Sequence, residues 1–158
     1  MILNNFPNLK LDKLKNYNTL SKRDQLIFEI FYCHLILKGE LTQSNLELVG
    51  MINNDSNYIL SGLRPINNNI LKKILAKYEE LKLITRKSTR EYNQYKQTYK
   101  TVSRSITLNF STFPWLSKQN VFTMEEHIQK AYAHFIQASE IKKSLDSIVV
   151  TTIVDDDE

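Results

Sequence analysis

Cysteine, glycine and proline are all scarce in this sequence, with one, three and three copies among 158 residues. Since Cys33 is alone, no internal disulfide can form, and its apolar neighbours indicate a buried thiol in a reducing compartment, which we expect to be the cytoplasm. No run approaches the ~20 apolar residues that cross a bilayer, and residues 1–7 lack the features of a signal peptide. Neither membrane spanning nor export is expected. Few chain-breaking residues predict a helix-rich fold.

Motifs that mark catalytic or cofactor sites are also missing from the sequence, which has no glycine-rich phosphate loop, nucleophile elbow or paired carboxylates. The segment YNQYK at 92–96 is similar to the tyrosine element of rolling-circle initiators, but the histidine pair that binds their metal is absent. His127 and His134 lack further ligands nearby, so we expect them on a helix surface or at an interface. The sequence therefore predicts no enzyme activity, no metal and no cofactor.

Positive charge is concentrated in the middle of the chain. Residues 64–104 hold eleven basic and three acidic residues, whereas residues 1–63 hold six of each and residues 105–158 hold four basic and eight acidic. Such an excess favours a polyanionic partner, although a solvated basic face without a ligand produces the same pattern.

The first long helix is predicted from Gln25 to Leu37, with Ser21 as its N-cap, Asp24 in the capping-box position and Gly39 as its end. Its apolar residues cover nearly the whole circumference, so it must be buried on most sides. We expect the cover to come from a helix of the C-terminal region or from a second subunit. Residues 1–20 are interpreted as a short helix or an arm.

The next segment allows two interpretations. Either Leu41 and Thr42 form a short strand, or Thr42 caps a helix from Gln43 to Ile52 that points Leu46 and Val49 inward. The following residues, 53–65, mix turn-forming and apolar side chains, which indicates a packed loop or a single helical turn.

A third helix is predicted to run to about Leu81 behind a cap at Asn67 or Asn68. Its apolar residues share one arc, and the opposite arc carries Asn69, Lys72 and Lys73. Two strands are predicted next, at residues 82–87 and 100–110, because apolar and polar residues alternate there. Residues 88–99 between them are interpreted as an exposed hairpin loop. Its tyrosines, Tyr92, Tyr95 and Tyr99, either contact nucleic acid or pack the loop against the body.

The C-terminal region is predicted to contain one long helix. Thr123 is its expected cap, and it runs from Met124 to about Leu145. A repeat of apolar residues every three or four positions indicates a seam that pairs with another helix; these residues are Met124, Ile128, Ala131, Phe135 and Ala138. A β-branched segment at 147–154 is expected to form a strand, and an acidic tail follows.

This order of elements resembles the winged helix-turn-helix superfamily over about residues 41–110. LTQSNLELVGMI corresponds to its second helix, NNNILKKILAKYEELKLI to its recognition helix, and Arg86 to Arg104 to its wing. The connection at 53–66 is longer than in the family, so either the turn is elaborated or the helix boundaries differ. The resemblance predicts a mainly α fold with a small β-hairpin wing and flanking N- and C-terminal helices. We divide the chain into an arm (1–20), a winged-helix domain (21–116), a packing or dimerisation helix (117–146) and a tail (147–158).

The resemblance and the basic charge together predict a sequence-specific protein that binds double-stranded DNA, acting as a homodimeric transcriptional regulator. The alternatives are a plasmid or phage replication-initiation or partition protein, and a winged-helix module that binds an acidic protein. Lysines and arginines of the middle segment are expected to replace counterions on phosphates, and asparagines at the helix start to read adenine. The candidate DNA-binding residues are Asn67, Asn68, Asn69, Lys72, Lys73, Lys77, Arg86, Lys87, Arg90, Lys96, Lys100 and Arg104.

Overall fold

The computed structural model describes residues 11–116 and 125–136, apart from the side chains of Asp12 and Val102. A 3-10 turn at Leu11–Lys13 precedes the helices α1 (Lys15–Asn18), α2 (Lys22–Lys38), α3 (Asn45–Asn53), α4 (Ser56–Leu60) and α5 (Asn68–Glu80). The antiparallel strands β1 (Ile84–Asn93) and β2 (Thr98–Leu108) follow, then a 3-10 turn at Pro114–Leu116 and a helix at 125–136, here α6. A helix-rich chain with one β-hairpin confirms the coarse fold class that the sequence predicts.

The helix α2 is the centre of the core. The Ser21 hydroxyl accepts a hydrogen bond from the backbone N–H of Asp24, and Gly39 ends the helix with a φ of 83°, as the sequence predicts. The carboxylate of Asp24 closes no capping box, because it pairs with Arg23 and Lys77 instead. Buried residues, Cys33 among them, lie on all sides of α2, which confirms its predicted enclosure.

Cover for α2 comes from the C-terminal region of the same chain. The Tyr32 hydroxyl lies 3.4 Å from Nδ1 of His127 on α6, and the ring centroids of His34 and Phe135 are 4.5 Å apart. The first of the two predicted sources of cover is therefore the one observed. Because α2 is enclosed by its own chain, it is not available for the subunit contact that its apolar circumference suggested.

The inward face of α6 differs from the predicted seam. Ala131 is buried and Phe135 half-buried as expected, but Ile128 is exposed. His127 and His134 are instead only 1% exposed, so of the two expected positions the helix surface is wrong, and the histidines lie where α6 packs against α2 and α4. The reason is that α2 and α4 offer polar partners, since the amide Nδ2 of Asn57 lies 3.2 Å from Nδ1 of His134. Thr123, Met124 and Ala138, the helix end near Leu145, the predicted strand at 147–154 and the acidic tail lie outside the described residues.

The start of α3 also differs from expectation. Ser44, not Thr42, caps it, in a reciprocal capping box with Glu47. With the helix beginning at Asn45, Leu48 and Ile52 take the inner face, and Leu46 on the opposite side is 80% exposed. The inward orientation predicted for Leu46 is therefore wrong.

Two short elements complete the helical part. Leu41 forms an isolated antiparallel bridge with Ile106, with backbone hydrogen bonds of 2.9 Å in both directions, which confirms the strand interpretation at that residue. The predicted interruption at 53–65 contains α4, a single helical turn capped by Asp55. Residues 11–18 form short helical turns whose Leu11 and Tyr17 are buried.

The hairpin is much longer than the sequence predicts. Its strands continue to Asn93 and from Thr98, leaving only residues 94–97 as the turn, so the loop predicted at 88–99 is wrong. Alternation of apolar and polar residues indicates a strand only where one face of the strand is buried. All of β1 beyond Thr85 is exposed, so its sequence does not show this alternation. At the inner end, Ile84, Ile106 and Leu108 are buried and join the hairpin to the core.

Candidate nucleic-acid interface

Both ends of α5 are fixed by specific hydrogen bonds. At the start, Oδ1 of Asn67 accepts from the backbone N–H of Ile70 at 2.9 Å, which confirms its predicted role as a cap. The side chain of Asn53 makes two hydrogen bonds, of 2.8 and 2.9 Å, with the backbone of Ile66 just before the helix. At the other end, Nδ2 of Asn16 donates to the carbonyl oxygen of Leu81 at 3.1 Å. The polar face of α5 is therefore held in a set orientation.

Four of the candidate residues on α5 share its exposed face. Asn68, Asn69, Lys72 and Lys73 are all exposed, and within residues 11–116 and 125–136 their side chains have no hydrogen-bond or ion-pair partner. The face opposite them, formed by Leu71, Ile74, Leu75 and Tyr78, is buried. The amphipathic phase of this helix is as the sequence predicts.

Lys77 belongs to a different environment. At about 100° per residue it lies about 140° around the helix from Lys72. Its Nζ is 3.9 Å from the buried carboxylate of Asp24 on α2. This lysine lies only about 40° around the helix from Lys73, so it shares that side of α5, and it differs from Lys72 and Lys73 in being paired with a buried acid.

The hairpin contributes a second exposed basic surface. Lys87, Arg90, Lys96 and Lys100 are exposed along its strands and turn. Strands of ten and eleven residues span roughly 33 Å at 3.3 Å per residue, and most of that length extends past the buried inner end. Since only Glu91 among residues 87–104 is acidic, this ribbon is strongly positive on both faces.

Tyrosines at the hairpin tip do not pack against the body, so that interpretation of them is wrong. Tyr92 and Tyr99 are opposed in the register, with ring centroids 5.0 Å apart. Tyr95 in the turn is 99% exposed. Oδ1 of Asn93 accepts hydrogen bonds from the backbone N–H groups of Tyr95 and Lys96, which fixes the turn. The tip thus presents an aromatic ring to solvent between basic side chains.

A cleft of about 410 Å³ separates α5 from the inner face of the hairpin. Its floor includes Leu75 and Ile106, and its walls carry Glu79 from α5 and Arg86 from β1. Nη2 of Arg86 lies 3.2 Å from Oε1 of Glu79, and this hydrogen bond lowers the pKa of the Glu79 carboxyl. The acid therefore neutralises one of the arginines at the cleft.

Arg104 occupies the same cleft and is half-buried, unlike the exposed position expected for every candidate residue. Its Nη1 donates to Oδ1 of Asn45 on α3. Burial, together with the nearby Arg86, lowers the pKa of its guanidinium. Arg104 faces inward because it is two residues from the buried Ile106 on β2, and side chains two residues apart on a strand lie on the same face.

The structure thus brings the candidate residues together in two groups, the exposed face of α5 and the hairpin, with the cleft between them. Asn45 and Glu79 are partners of these residues that sequence reasoning missed. Glu79 precedes Arg86 by seven residues across the end of α5, and nothing in that spacing marks the pair before the turn geometry is known.

Metal sites and membrane spans are two further features considered for the described residues. No group of three or more His, Cys, Asp or Glu residues within them could hold a metal ion. Among the helices that the structure describes, none is long and apolar enough to span a membrane. Comparison with known proteins gave no matching family model, no matching curated protein and no matching solved structure.

Proposed function

We propose that this chain binds double-stranded DNA through α5 and the β1–β2 hairpin. The observation that carries the proposal is that both elements present exposed basic side chains, which have no carboxylate partner among the described residues. These side chains are Lys72 and Lys73 on α5, and Lys87, Arg90 and Lys96 on the hairpin. Each of them can displace condensed counterions from phosphates, which gives an affinity that falls steeply with salt.

Helix α5 is the element that we assign to the major groove. Its thirteen residues make a rod of roughly 20 Å, and an α-helix fits the major groove of B-DNA. Amide side chains bind adenine through paired donor and acceptor groups, and Asn68 and Asn69 are available for this. We assign Asn67 to the helix cap, because its Oδ1 is already bonded.

The order of elements supports this assignment. A buried helix, a strand residue at Leu41, three helices and a hairpin follow one another. This order is compatible with a winged helix-turn-helix in which α4 is inserted before the recognition helix α5. In that arrangement the hairpin lies along the flanking backbone or minor groove, where an arginine suits the narrow groove of AT-rich DNA.

We also propose that the protein acts as a homodimeric transcriptional regulator. Since α2 is enclosed, the contact that we assign to the dimer is the outer face of α6, where Ile128, Tyr132 and Ile136 are exposed at every fourth residue. Two-fold symmetry predicts a palindromic site with half-sites about one helical turn apart. Sedimentation equilibrium should show a dimer for the wild type and a monomer for Tyr132→Lys. A monomer in both cases removes the dimer from the proposal.

Titration of the full chain against random-sequence duplex DNA, followed by fluorescence anisotropy at low and moderate salt, tests DNA binding itself. We expect saturable binding at low salt that weakens as salt is added. Absence of binding below about 10 μM at low salt would contradict the proposal and favour a protein-interaction module, given usual nonspecific affinities. Selection from a random library then identifies the site, and its presence in a promoter or in iterated origin repeats separates a regulator from a replication or partition protein.

A further inference from the structure

The guanidinium of Arg104 is only partly satisfied by the protein. Nη1 donates to Asn45, but Nε and Nη2 are covered by the surrounding protein and have no hydrogen-bond acceptor. Buried N–H groups are nearly always paired in folded proteins, so an unsatisfied pair indicates a missing partner. Nε and Nη2 are neighbours on one edge of the guanidinium, and this edge makes two parallel hydrogen bonds to two oxygens of a carboxylate or phosphate.

Charge in the cleft is also unbalanced. Glu79 is the acidic residue of the cleft lining, and its carboxylate is engaged by Arg86. Arg90 and Arg104 line the same cleft without a carboxylate partner among the described residues. The cleft therefore has an excess of positive charge that the protein does not compensate.

Strand register places hydroxyl groups beside these arginines. Ser88 is directly opposite Arg104 in the β1–β2 pairing, and a register shift after Thr89 brings Thr101 opposite Arg90. Directly opposed residues have Cβ atoms about 5 Å apart, so each hydroxyl lies within reach of a group bound at the neighbouring arginine. Guanidinium edges and hydroxyl donors together are the donor set that binds phosphate oxygens.

We propose that the cleft between α5 and the hairpin binds a phosphate group, with Arg104 as its principal ligand and Arg90, Ser88 and Thr101 as further donors. The cleft volume of about 410 Å³ accommodates a phosphate and its attached ester groups. Nε and Nη2 are covered in the unliganded protein, so a bound phosphate reaches them only when neighbouring side chains of the cleft lining shift. Asn45 holds Nη1 on the α3 side, which leaves the Nε–Nη2 edge as the one without a protein partner.

Two sources can supply this phosphate, a phosphodiester of DNA or a free phosphate compound. The first source rests on the proposed DNA binding, because the cleft adjoins both elements assigned to the duplex. The second source needs no DNA. The two are distinguished by comparing inorganic phosphate with duplex DNA as probes of the same variants.

The test begins with inorganic phosphate and the full chain, compared with chloride at equal ionic strength. We expect phosphate to raise the Tm saturably for the wild type and for Lys96→Gln, a variant that removes the same charge at the hairpin tip. Arg104→Gln should show no saturable effect, and Arg104→Lys, which keeps the charge but loses the two-donor edge, should bind phosphate about tenfold more weakly or worse, as loss of a charge-assisted hydrogen bond predicts. An equal response of the wild type and Arg104→Lys would overturn the site.

If Arg104→Gln does not fold, the wild type itself answers the question. Its Arg104 Nε–H resonance in ¹⁵N–¹H spectra should shift during phosphate titration and stay unchanged with chloride. A resonance that phosphate does not move would contradict the proposal.

Duplex DNA then identifies the source. A loss of affinity for duplex about tenfold or more in Arg104→Lys, with Lys13→Gln, a charge removed away from both elements, affected much less, assigns the site to a DNA phosphate. Equal small losses in both variants, with phosphate binding still dependent on Arg104, assign it to a free phosphate compound. Failure of every variant and of the wild type to bind duplex would overturn the DNA proposal and leave the phosphate site standing. Normal duplex binding with phosphate binding independent of Arg104 would overturn the site alone.

Discussion

At the scale of single residues, the three consecutive asparagines before α5 divide into different roles. Asn67 accepts a backbone hydrogen bond as the N-cap, while Asn68 and Asn69 extend into solvent. Composition alone made all three equal candidates for base contacts. Which asparagine becomes the cap depends on which one has an extended backbone. In the folded chain this is Asn67, with ψ near 178°.

Asn67→Ala should lower the free energy of unfolding by about 1 kcal/mol, because it leaves the backbone N–H of Ile70 at the start of α5 without its acceptor. Asn69→Ala is the matched control, since it removes the same amide from an exposed helical position and should leave stability nearly unchanged. Thermal and urea denaturation measure both. Equal losses in the two variants would contradict the assignment of the cap to Asn67.

Histidine positions show what residue-level prediction left open between a helix surface and an interface. His127 and His134 are spaced for one helix face, and a polar side chain is ordinarily expected on the solvent side. Their burial depends on Tyr32 and Asn57, which lie 95 and 77 residues away in sequence, so no local pattern could predict it.

At the scale of elements, the end of α5 carries a measurable strain. The N–H groups of Lys82 and Leu83 donate to the carbonyls of Glu79 and Tyr78, which is a Schellman ending, and Lys82 has a φ of 60°. Lys82→Gly should raise the free energy of unfolding by about 1 kcal/mol, since glycine adopts this conformation without a Cβ clash. Ala76→Gly, at an exposed position inside the helix, should lower it by a similar amount. A loss of stability in Lys82→Gly would contradict this ending.

The docking of α6 should be sensitive to acid. Burial lowers the pKa of His134 to about 4, and burial with nearby Lys38 and His134 lowers that of His34 to about 4. Above about pH 6.5 both histidines are neutral in the folded and in the unfolded chain. As the pH falls toward 4, they bind protons in the unfolded chain but stay neutral in the folded chain. The free energy of unfolding should therefore decrease across this window, by up to about 1.4 kcal/mol per pH unit for each histidine.

Denaturation of the wild type and His134→Gln between pH 7 and pH 4 measures the contribution of His134, and the variant should lose stability less steeply. Partial burial raises the pKa values of the Glu29 and Asp55 carboxyls, which makes the folded chain more stable as the pH falls, but this effect is common to both proteins. Identical pH dependence in the two proteins would show that His134 titrates normally in the folded chain.

The hairpin was the element least accessible to sequence reasoning. Its outer part has no buried face, so its strands are specified by backbone pairing and by the Tyr92–Tyr99 contact rather than by apolar alternation. Tyr95→Ala should weaken duplex binding without changing either the Tm or the salt dependence, because the ring is fully exposed and uncharged. Anisotropy titrations at several salt concentrations measure this. An unchanged affinity would exclude Tyr95 from the contact.

At the scale of the whole molecule, the charge asymmetry along the sequence was the most informative signal. It correctly located the exposed basic residues of α5 and the hairpin, because neighbouring residues in these elements remain neighbours in space. It could not show that Lys77 pairs with Asp24 or that Arg104 lies in a cleft, since both depend on contacts between distant elements.

DNA binding by α5 is tested most directly by the salt dependence of affinity for duplex DNA in the wild type and in Lys72→Ala/Lys73→Ala. Removing two phosphate contacts should reduce the slope of log K against log salt by about 2, with an unchanged Tm. Lys13→Ala/Lys15→Ala is the control, because it removes two exposed lysines near the opposite end of α5, where Asn16 bonds Leu81. An equal slope in all three proteins, or a large loss of stability in Lys72→Ala/Lys73→Ala, would contradict the account.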